Sequence, residues 1–374
     1  MPIPRVDPRY RKNVDWILAI AVAVLLVAGL LFLWSATAQS PRGTSVVLKQ
    51  AGLIGIGLGL MVFCAALDYS TSNKYAPFIH AAALLLLLVV TVFFRGEETK
   101  GATRWIPLPM GFKLQPSEFA KVALVLTLSS MLRSVGGRIR EFPVLLRTLG
   151  HALMPMALVA AQPDLTTALV FAAIWFAMAF TAGADLRHLG AILVAGAVVF
   201  SVLWNTGVVR QYQKDRVLIL LGLKVDKQRK GYQIDQALAA VGGGEATGQG
   251  LGKGIQNRGS WVPENHTDFI FTVIAEETGF LGSVALLALY GLVLVRGLMI
   301  AAESEDAQGR LIAVGVTTLF GFHIFVNVGM NCGILPVAGV PLPLVSQGGS
   351  AAWTSLSAIG LLQSVAMRRR ALQF

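Results

Sequence analysis

The sequence predicts an all-α polytopic integral membrane protein with about ten transmembrane helices, and three observations predict this fold class. Of the 374 residues, 55% are hydrophobic, and the mean hydropathy is +0.66. Only 14% are charged, against about a quarter in soluble domains. Several apolar stretches reach the roughly 20 residues that cross a hydrocarbon core about 30 Å thick. This composition disfavours a soluble globular protein.

The apolar windows give the predicted spans in chain order. They lie at residues 16–36, 50–67, 76–94, 117–134, 149–162, 165–182, 188–206, 268–299, 311–331 and 349–367. The first window follows a basic head and is too long for the core of a signal peptide, so we interpret it as a retained helix. The fifth is short and carries Pro155, which weakens its bounds.

The distribution of basic residues predicts the topology. An even number of spans puts both termini on one side of the membrane. The basic head, the loop of residues 133–147 and the tail Arg368–Arg370 all fall on that side, which the positive-inside rule makes cytoplasmic. The net charge of +11 is explained by this topology and by anionic lipids, so we expect no nucleic-acid partner.

No repeat or low-complexity segment divides the chain, so residues 1–374 are predicted to form one membrane domain. Within it, residues 207–267 form a large extracytoplasmic loop between spans 7 and 8. Its glycine-rich part, Gly242–Gly259, needs the φ freedom of glycine for tight turns or for close approach to a ligand. The string "GQGLGKG" lacks the preceding strand and the GK[ST] ending of a phosphate-binding loop, which disfavours a nucleotide site.

Four polar segments fall on the outer side in this topology. They are "GATRWIPLPMGFKLQPSEFAK", "AQPDLTT", "WVPENHTDF" and "GILPVAGVPLPLVSQGGS". Ionisable residues at a membrane edge are costly and indicate functional sites. The outer face is therefore where we expect the chemistry.

Two of these segments carry candidate charges with two interpretations each. Glu118 and Lys121 are three residues apart at a helix start, so they share a face, either as a functional pair or as a structural salt bridge. Arg104 could clamp phosphate oxygens or contact lipid headgroups. Asp164 follows a proline at a predicted helix entry, where an acid also serves simply as the N-cap.

The stretch "PENHTDFIFTVIAEETG" concentrates acids in an apolar run. With Pro263 as the first helical residue, Glu264 and Asp268 would share one helix face. Asp268 would then lie at the lip of a low-dielectric cleft, where a carboxylate can serve as a general base.

The other acids of this stretch and its two polar residues before Asp268 have different predicted roles. Glu276 and Glu277 are predicted to be structural, paired with Lys or Arg from another span. His266 and Thr267 could be ligands, a cap or both. A single histidine does not make a metal site.

The strings "QPSEFAK", "QPDLTTAL", "PENHTDFIFTVIAEETG" and "NVGMNCGILPVAGVPLPLVSQGGS" together resemble the SEDS family of shape, elongation, division and sporulation proteins. The last string is more similar to the RodA branch than to the FtsW branch. The resemblance covers nearly the whole chain with its motifs in order.

The resemblance implies a ten-span glycosyltransferase of the bacterial cytoplasmic membrane that polymerises lipid II into glycan strands on the outer face during cell elongation. It implies a class B penicillin-binding protein as partner, and the essential acid of the family maps onto Asp268. Family motifs also map onto Arg104, Glu118, Lys121 and Asp164. Further candidate substrate-binding residues are Glu264, His266, Thr267, Ser346 and Gln347.

Two positions depart from the family pattern: Thr166 stands where glycine is usual, and Gln347 stands where tyrosine is usual. Neither departure changes Asp268. As a mechanism we expect Asp268 to be the base, with Arg104 and Lys121 contacting the pyrophosphate. A divalent cation, Mg²⁺ or Mn²⁺, is expected to assist there, although the sequence shows no set of ligands for it. No organic cofactor is expected.

Two other classes of function remain open from the sequence. A lipid II flippase would also need a polytopic body and a charged cavity, and it predicts polar groups through the bilayer and internal repeats. A non-catalytic scaffold would leave the membrane-edge acids without a chemical role.

Overall fold

The computed structural model describes residues 13–93, 105–108, 112–206, 209, 211–220, 223, 230–259, 261–262 and 264–368. Its secondary structure is helical apart from one small hairpin, which confirms the all-α polytopic fold class. The hairpin pairs β1 (Ile106–Leu108) antiparallel with β2 (Phe112–Leu114), and Ile106 lies opposite Leu114.

Thirteen α-helices lie within the described residues. They are α1 (Trp16–Thr37), α2 (Gly43–Ala66), α3 (Ser72–Phe93), α4 (Pro116–Val135), α5 (Phe142–Ala161), α6 (Leu165–Thr181), α7 (Leu186–Asn205), α8 (Gln211–Leu220), α9 (Lys230–Gly243), α10 (Ile255–Arg258), α11 (Ile270–Glu303), α12 (Ala307–Asn331) and α13 (Gly349–Arg368).

Each of the ten predicted spans coincides with one helix, namely α1 to α7 and α11 to α13. Eight helical segments among the described residues are long and apolar enough to cross a membrane. Helix α6 is apolar but has only 17 residues, and α13 is not among the eight. The multi-pass character is confirmed, and the count of ten stays a prediction. The loop of residues 207–267 contains α8, α9 and α10.

Aspartates start several of these helices. The Asp15 carboxylate accepts a hydrogen bond from the backbone N–H of Leu18 at the start of α1. Asp185 and Asp306 cap α7 and α12 in the same way. Each carboxylate satisfies an N–H that has no partner within the helix, so these helix starts follow from local sequence.

Helices α1 and α11 run antiparallel and define the two ends of the bundle. At one end Arg296 Nε donates to Asp15 Oδ2 at 3.0 Å. At the other, Ser35 Oγ donates to Glu277 Oε1. The stretch from Glu277 to Arg296 rises about 28 Å at 1.5 Å per residue, close to the thickness of a hydrocarbon core. We call the end with Asp15 the basic end and the end with Glu277 the site end.

The basic end gathers both termini of the described chain. Asn13 Nδ2 donates to the Met367 carbonyl at 3.4 Å. Arg368 Nη2 donates to the carbonyl of Ala66, the last residue of α2, at 3.1 Å. Arg133, near the end of α4, lies here as well, with Nη1 donating to Gln308 Oε1 at 3.1 Å. Several arginines therefore lie at the same end of the bundle.

Helix α11 is broken at Gly279, whose φ of +68° and ψ of −163° interrupt the helical ladder. The glycine-rich segment, residues 242–259, replaces the lost hydrogen bonds. The carbonyls of Glu276 and Glu277 each accept a backbone N–H from this segment at 3.0 Å, and the N–H groups of Phe280 and Leu281 donate to its carbonyls. Broken backbone at membrane depth is tolerated where protein satisfies it in this way.

Close approach to α11 explains the glycines of this segment. A Cβ on Gly248, whose φ is +81°, would lie 2.2 Å from the Glu277 carbonyl oxygen. Among the alternatives raised by the sequence, this glycine serves close approach, and the partner it approaches is the backbone of α11.

The prediction that a helix begins at Pro263 is wrong, because α11 begins at Ile270. Pro263 itself lies outside the described residues. Glu264 has a φ of +59°, and its carbonyl accepts the N–H groups of Thr267 and Phe269. Tight turns therefore replace the expected helical turn, and Glu264 and Asp268 do not share a helix face.

Candidate functional site

Asp268 lies at the site end, one residue before the N-cap of α11, and is half-buried. Its main-chain carbonyl accepts hydrogen bonds from Asn327 Nδ2 at 2.9 Å and from Asn331 Nδ2 at 3.2 Å. Both asparagines are fully buried in α12. Helix α12 therefore fixes the backbone from which the Asp268 side chain extends.

The two residues before Asp268 are held by the segment that precedes α13. Ser346 Oγ donates to the Thr267 carbonyl at 2.6 Å and accepts the Leu342 N–H at 2.8 Å. The Gln347 N–H donates to the His266 carbonyl at 3.0 Å. In the structure, Ser346 and Gln347 thus position the loop that carries Asp268.

Two further polar contacts stiffen this loop. Thr267 Oγ1 donates to Glu264 Oε2 at 3.1 Å. A hydrogen bond of 3.1 Å joins His266 Nδ1 and Asn265 Oδ1. The structure therefore brings together the predicted residues Glu264, His266, Thr267 and Asp268 as one closed turn.

Glu118 and Lys121 form a buried ion pair, with Lys121 Nζ 2.8 Å from Glu118 Oε1. Lys121 is 1% exposed and Glu118 is 5% exposed. The predicted pairing on one helix face is confirmed. In this conformation the Lys121 ammonium is closed off from solvent.

His323 completes this cluster, and the sequence analysis missed it. Its Nε2 lies 2.9 Å from Lys121 Nζ. An ammonium group can only donate, so Nε2 accepts this hydrogen bond. Lys121 thus has two partners among the described residues.

One stripe of α12 connects this cluster with Asp268. His323, Asn327 and Asn331 are four residues apart in sequence and therefore share a face of the helix. His323 and Asn327 differ by about 6 Å along the helix axis. The Glu118 and Lys121 pair therefore lies about one helical turn deeper than the Asp268 backbone. Polar residues at this spacing in an apolar helix were the signal that could have found the stripe.

Asp164 acts as a helix cap. Its Oδ1 accepts the Thr167 N–H at 3.1 Å at the start of α6, and the residue is 4% exposed. The capping interpretation is therefore confirmed.

Arg104 lies outside the described residues. Within the described residues, no group of three or more His, Cys, Asp or Glu side chains could hold a metal ion. The predicted divalent cation therefore has no resident ligand set among them.

Glu276 and Glu277 of α11 were expected to pair with Lys or Arg, but among the described residues their partners are backbone N–H groups, a serine and an asparagine. Glu276 accepts the backbone N–H groups of Gln256 at 2.6 Å and Asn257 at 3.1 Å, at the start of α10. Glu277 Oε1 accepts from Ser35 Oγ and from Asn257 Nδ2. Asn257 Oδ1 in turn accepts from Asn265 Nδ2 at 2.8 Å. Both acids therefore hold Asn257, and Asn257 holds the turn that carries Asp268.

Comparisons with known proteins agree over nearly the whole chain. The family model for FtsW, RodA and SpoVE, described as cell cycle protein, matches residues 15–371. Peptidoglycan glycosyltransferase MrdB of Escherichia coli (strain K12) is 38% identical over 367 residues, which cover 97% of this chain and 96% of that protein.

Two solved structures show the same fold. A chain from the structure described as "Structural coordination of polymerization and crosslinking by a peptidoglycan synthase complex" has a TM-score of 0.80 at 34% identity, and the match covers 95% of this chain and 98% of that one. The rod shape determining protein RodA of Thermus thermophilus has a TM-score of 0.70 at 30% identity, with 96% and 98% covered.

Proposed function

The chain belongs to the FtsW, RodA and SpoVE family of cell cycle proteins and is a membrane-embedded peptidoglycan glycosyltransferase, and we propose that Asp268 is its catalytic base. One observation supports this choice above the others. The Asp268 carbonyl is held by two buried asparagines of α12, and the preceding residue, Thr267, is held by Ser346. A base must be within hydrogen-bond reach of the proton it removes, and a fixed backbone maintains that reach.

The proposed reaction joins two lipid-linked saccharides. The 4-hydroxyl oxygen of one lipid II molecule forms a bond to the anomeric carbon of the growing chain, while the bond from that carbon to the undecaprenyl pyrophosphate breaks. Asp268 takes the hydroxyl proton, and the pyrophosphate leaves with its bonding electron pair. General base catalysis of this kind contributes about 10² to 10⁴ in rate.

The departing pyrophosphate needs positive charge. We propose Arg104 as its direct contact, since a guanidinium binds phosphate oxygens bidentately. Lys121 is closed off in this conformation and its charge is balanced by Glu118, so its proposed role is to contact phosphate when the cleft opens.

The proposed orientation puts the site end outside the cell. Arg133, Arg138, Arg140 and Arg368 belong to the basic end or to the turn that follows α4. The positive-inside rule therefore favours a cytoplasmic basic end with both termini there. The loop of residues 207–267 would then be extracytoplasmic.

A class B penicillin-binding protein is the proposed partner, because the product strands must be crosslinked. The structural relative comes from a peptidoglycan synthase complex that is described as coordinating polymerization and crosslinking. We propose the same division of labour here, with this chain as the polymerase.

The test is glycan polymerisation by purified Asp268→Asn protein with labelled lipid II, with and without the partner. The amide keeps the size of the side chain but cannot accept the proton, so we expect at least a 10²-fold lower rate. Asp306→Asn, which changes a helix cap at the basic end, is the matched control and should polymerise normally. An undiminished rate for Asp268→Asn would refute the assignment.

The same preparation tests the rival function. In vesicles, movement of intact lipid II across the bilayer without polymer would favour a flippase. Long glycan polymer supports the glycosyltransferase.

A further inference from the structure

A cavity of about 460 Å³ lies between α3, α4 and α5, away from the Asp268 site. Asn73, at its edge, donates through Nδ2 to Gln308 Oε1 at 2.8 Å, and Arg133 of the basic end donates to the same oxygen. The cavity therefore opens near the basic end. None of the described residues proposed to take part in glycan synthesis lines this cavity.

The polar lining of this cavity contains two stacked histidines. The ring centroids of His80 and His151 are 3.7 Å apart with an angle of 19° between the planes. His151 Nε2 is 2.9 Å from Thr127 Oγ1. In contrast, His80 Nε2 and Asn73 Oδ1 are buried and have no hydrogen-bond partner among the described residues. Buried polar atoms are normally paired, so two open ones in one cavity indicate a missing occupant.

Two prolines lack the N–H that a helix normally donates to a carbonyl beside the cavity. Pro77 in α3 and Pro155 in α5 have no N–H to donate to the carbonyls four residues earlier, which belong to Asn73 and His151. Both of those residues line the cavity. The occupant should therefore carry hydrogen-bond donors.

The charges around the cavity narrow the class of ligand. No Asp or Glu is among the described residues that line it, so an ammonium group would find no countercharge there. A neutral polyol needs no countercharge. Arg133 lies beside the cavity rather than in its lining, and its guanidinium donates to the same Gln308 oxygen as Asn73. Its side chain is 44% exposed and its Nη2 is 3.7 Å from Asp306 Oδ1, so an exposed guanidinium with one partner carboxylate, and with donors left over for a phosphate, lies at the cavity edge.

The cavity also opens sideways into the apolar region. Ala81, one of its lining residues, is exposed on α3 within a helix that is apolar enough to span the membrane. A lipid in the leaflet at the basic end can therefore reach the cavity with its acyl chains still among other lipids.

We propose that this cavity binds the glycerophosphate headgroup of an anionic phospholipid, whose hydroxyl groups donate to Asn73 Oδ1 and His80 Nε2 while its phosphate contacts Arg133. Binding at this site would make the packing of α3, α4 and α5 depend on the lipid composition of that leaflet. It does not depend on the identity of the catalytic base.

Native mass spectrometry of the delipidated full-length protein in detergent tests the proposal, with phosphatidylglycerol, phosphatidylethanolamine and free glycerol 3-phosphate as probes. We expect one phosphatidylglycerol to be retained more tightly than phosphatidylethanolamine. His80→Phe keeps the stacked ring but removes the nitrogen, so it should weaken this binding about fivefold. Arg133→Gln should weaken it about tenfold and reduce its salt dependence.

The matched control is His188→Phe. His188 also lies against an aromatic ring, that of Phe142, but it does not line the cavity, so binding should be unchanged. If His80→Phe fails to fold, Ser130→Leu, which fills the cavity from α4, should abolish the extra lipid. The proposal fails if both phospholipids bind equally, if both cavity variants bind like the parent protein, or if glycerol 3-phosphate displaces the lipid at equal concentration.

Discussion

Breaking the buried pair of Glu118 and Lys121 separates its structural effect from its chemical effect. Lys121→Met leaves the Glu118 carboxylate, 5% exposed, without its cation 2.8 Å away. Removing one partner of a buried pair costs about 3–5 kcal/mol, because an uncompensated charge stays buried. The variant also takes the donor from His323 Nε2. We therefore expect the free energy of unfolding to fall by at least about 3 kcal/mol.

The double variant Glu118→Gln with Lys121→Met removes both charges and should recover stability to within about 1–2 kcal/mol of the parent protein. Both Lys121→Met and the double variant should polymerise about 10²-fold more slowly than the parent protein, because neither has the ammonium that is proposed to contact the pyrophosphate. Stability would be measured by reversible unfolding in mixed micelles, and rate by polymerisation of labelled lipid II. A double variant that is no more stable than Lys121→Met would contradict the cost assigned to the unpaired Glu118 charge. A normal polymerisation rate in the double variant would show that the ammonium has no role beyond structure.

Three further changes act on the backbone that surrounds the site. Gly248→Ala should lower the free energy of unfolding by more than about 2 kcal/mol, because its Cβ would lie 2.2 Å from the Glu277 carbonyl at a φ of +81°. Ser35→Ala should cost about 1–3 kcal/mol, since Glu277 loses a buried donor. Asn327→Leu should reduce polymerisation by about 10²-fold, because it releases the Asp268 carbonyl and misplaces the proposed base. Unfolding in mixed micelles checks the first two, and lipid II polymerisation checks the third.

Two of these changes, Gly248→Ala and Asn327→Leu, have a control in the chain. Gly250→Ala also has a positive φ, but its Cβ would first meet the flexible Lys253 side chain at 3.3 Å, so it should cost less than Gly248→Ala. Asn205→Leu removes an exposed bond from Nδ2 to the Ser201 carbonyl within α7 and should leave polymerisation unchanged. Equal losses in test and control variants would contradict the assigned contacts.

The membrane fold could be predicted from the sequence because its signals are local. Apolar length determines which segments can cross a hydrocarbon core, and the ten predicted spans coincide with ten helices among the described residues. The aspartates that begin α1, α6, α7 and α12 act on N–H groups two or three residues away. The motifs also sufficed to identify the family and to select Asp268 for mutation.

What surrounds Asp268 was decided only by tertiary structure. Glu277 meets Ser35, 242 residues away in sequence, and Lys121 meets His323, 202 residues away. No local pattern encodes such pairs, because they depend on which helix faces pack together. The expected helical turn from Pro263 is absent for a related reason: the loop before α11 closes tight turns on the Glu264 carbonyl and also bonds to α12 and to the segment before α13. Local sequence therefore determined that acids stand at this membrane edge, whereas packing determined that Asp268 is fixed by its backbone and that Glu276 and Glu277 hold the turn in place.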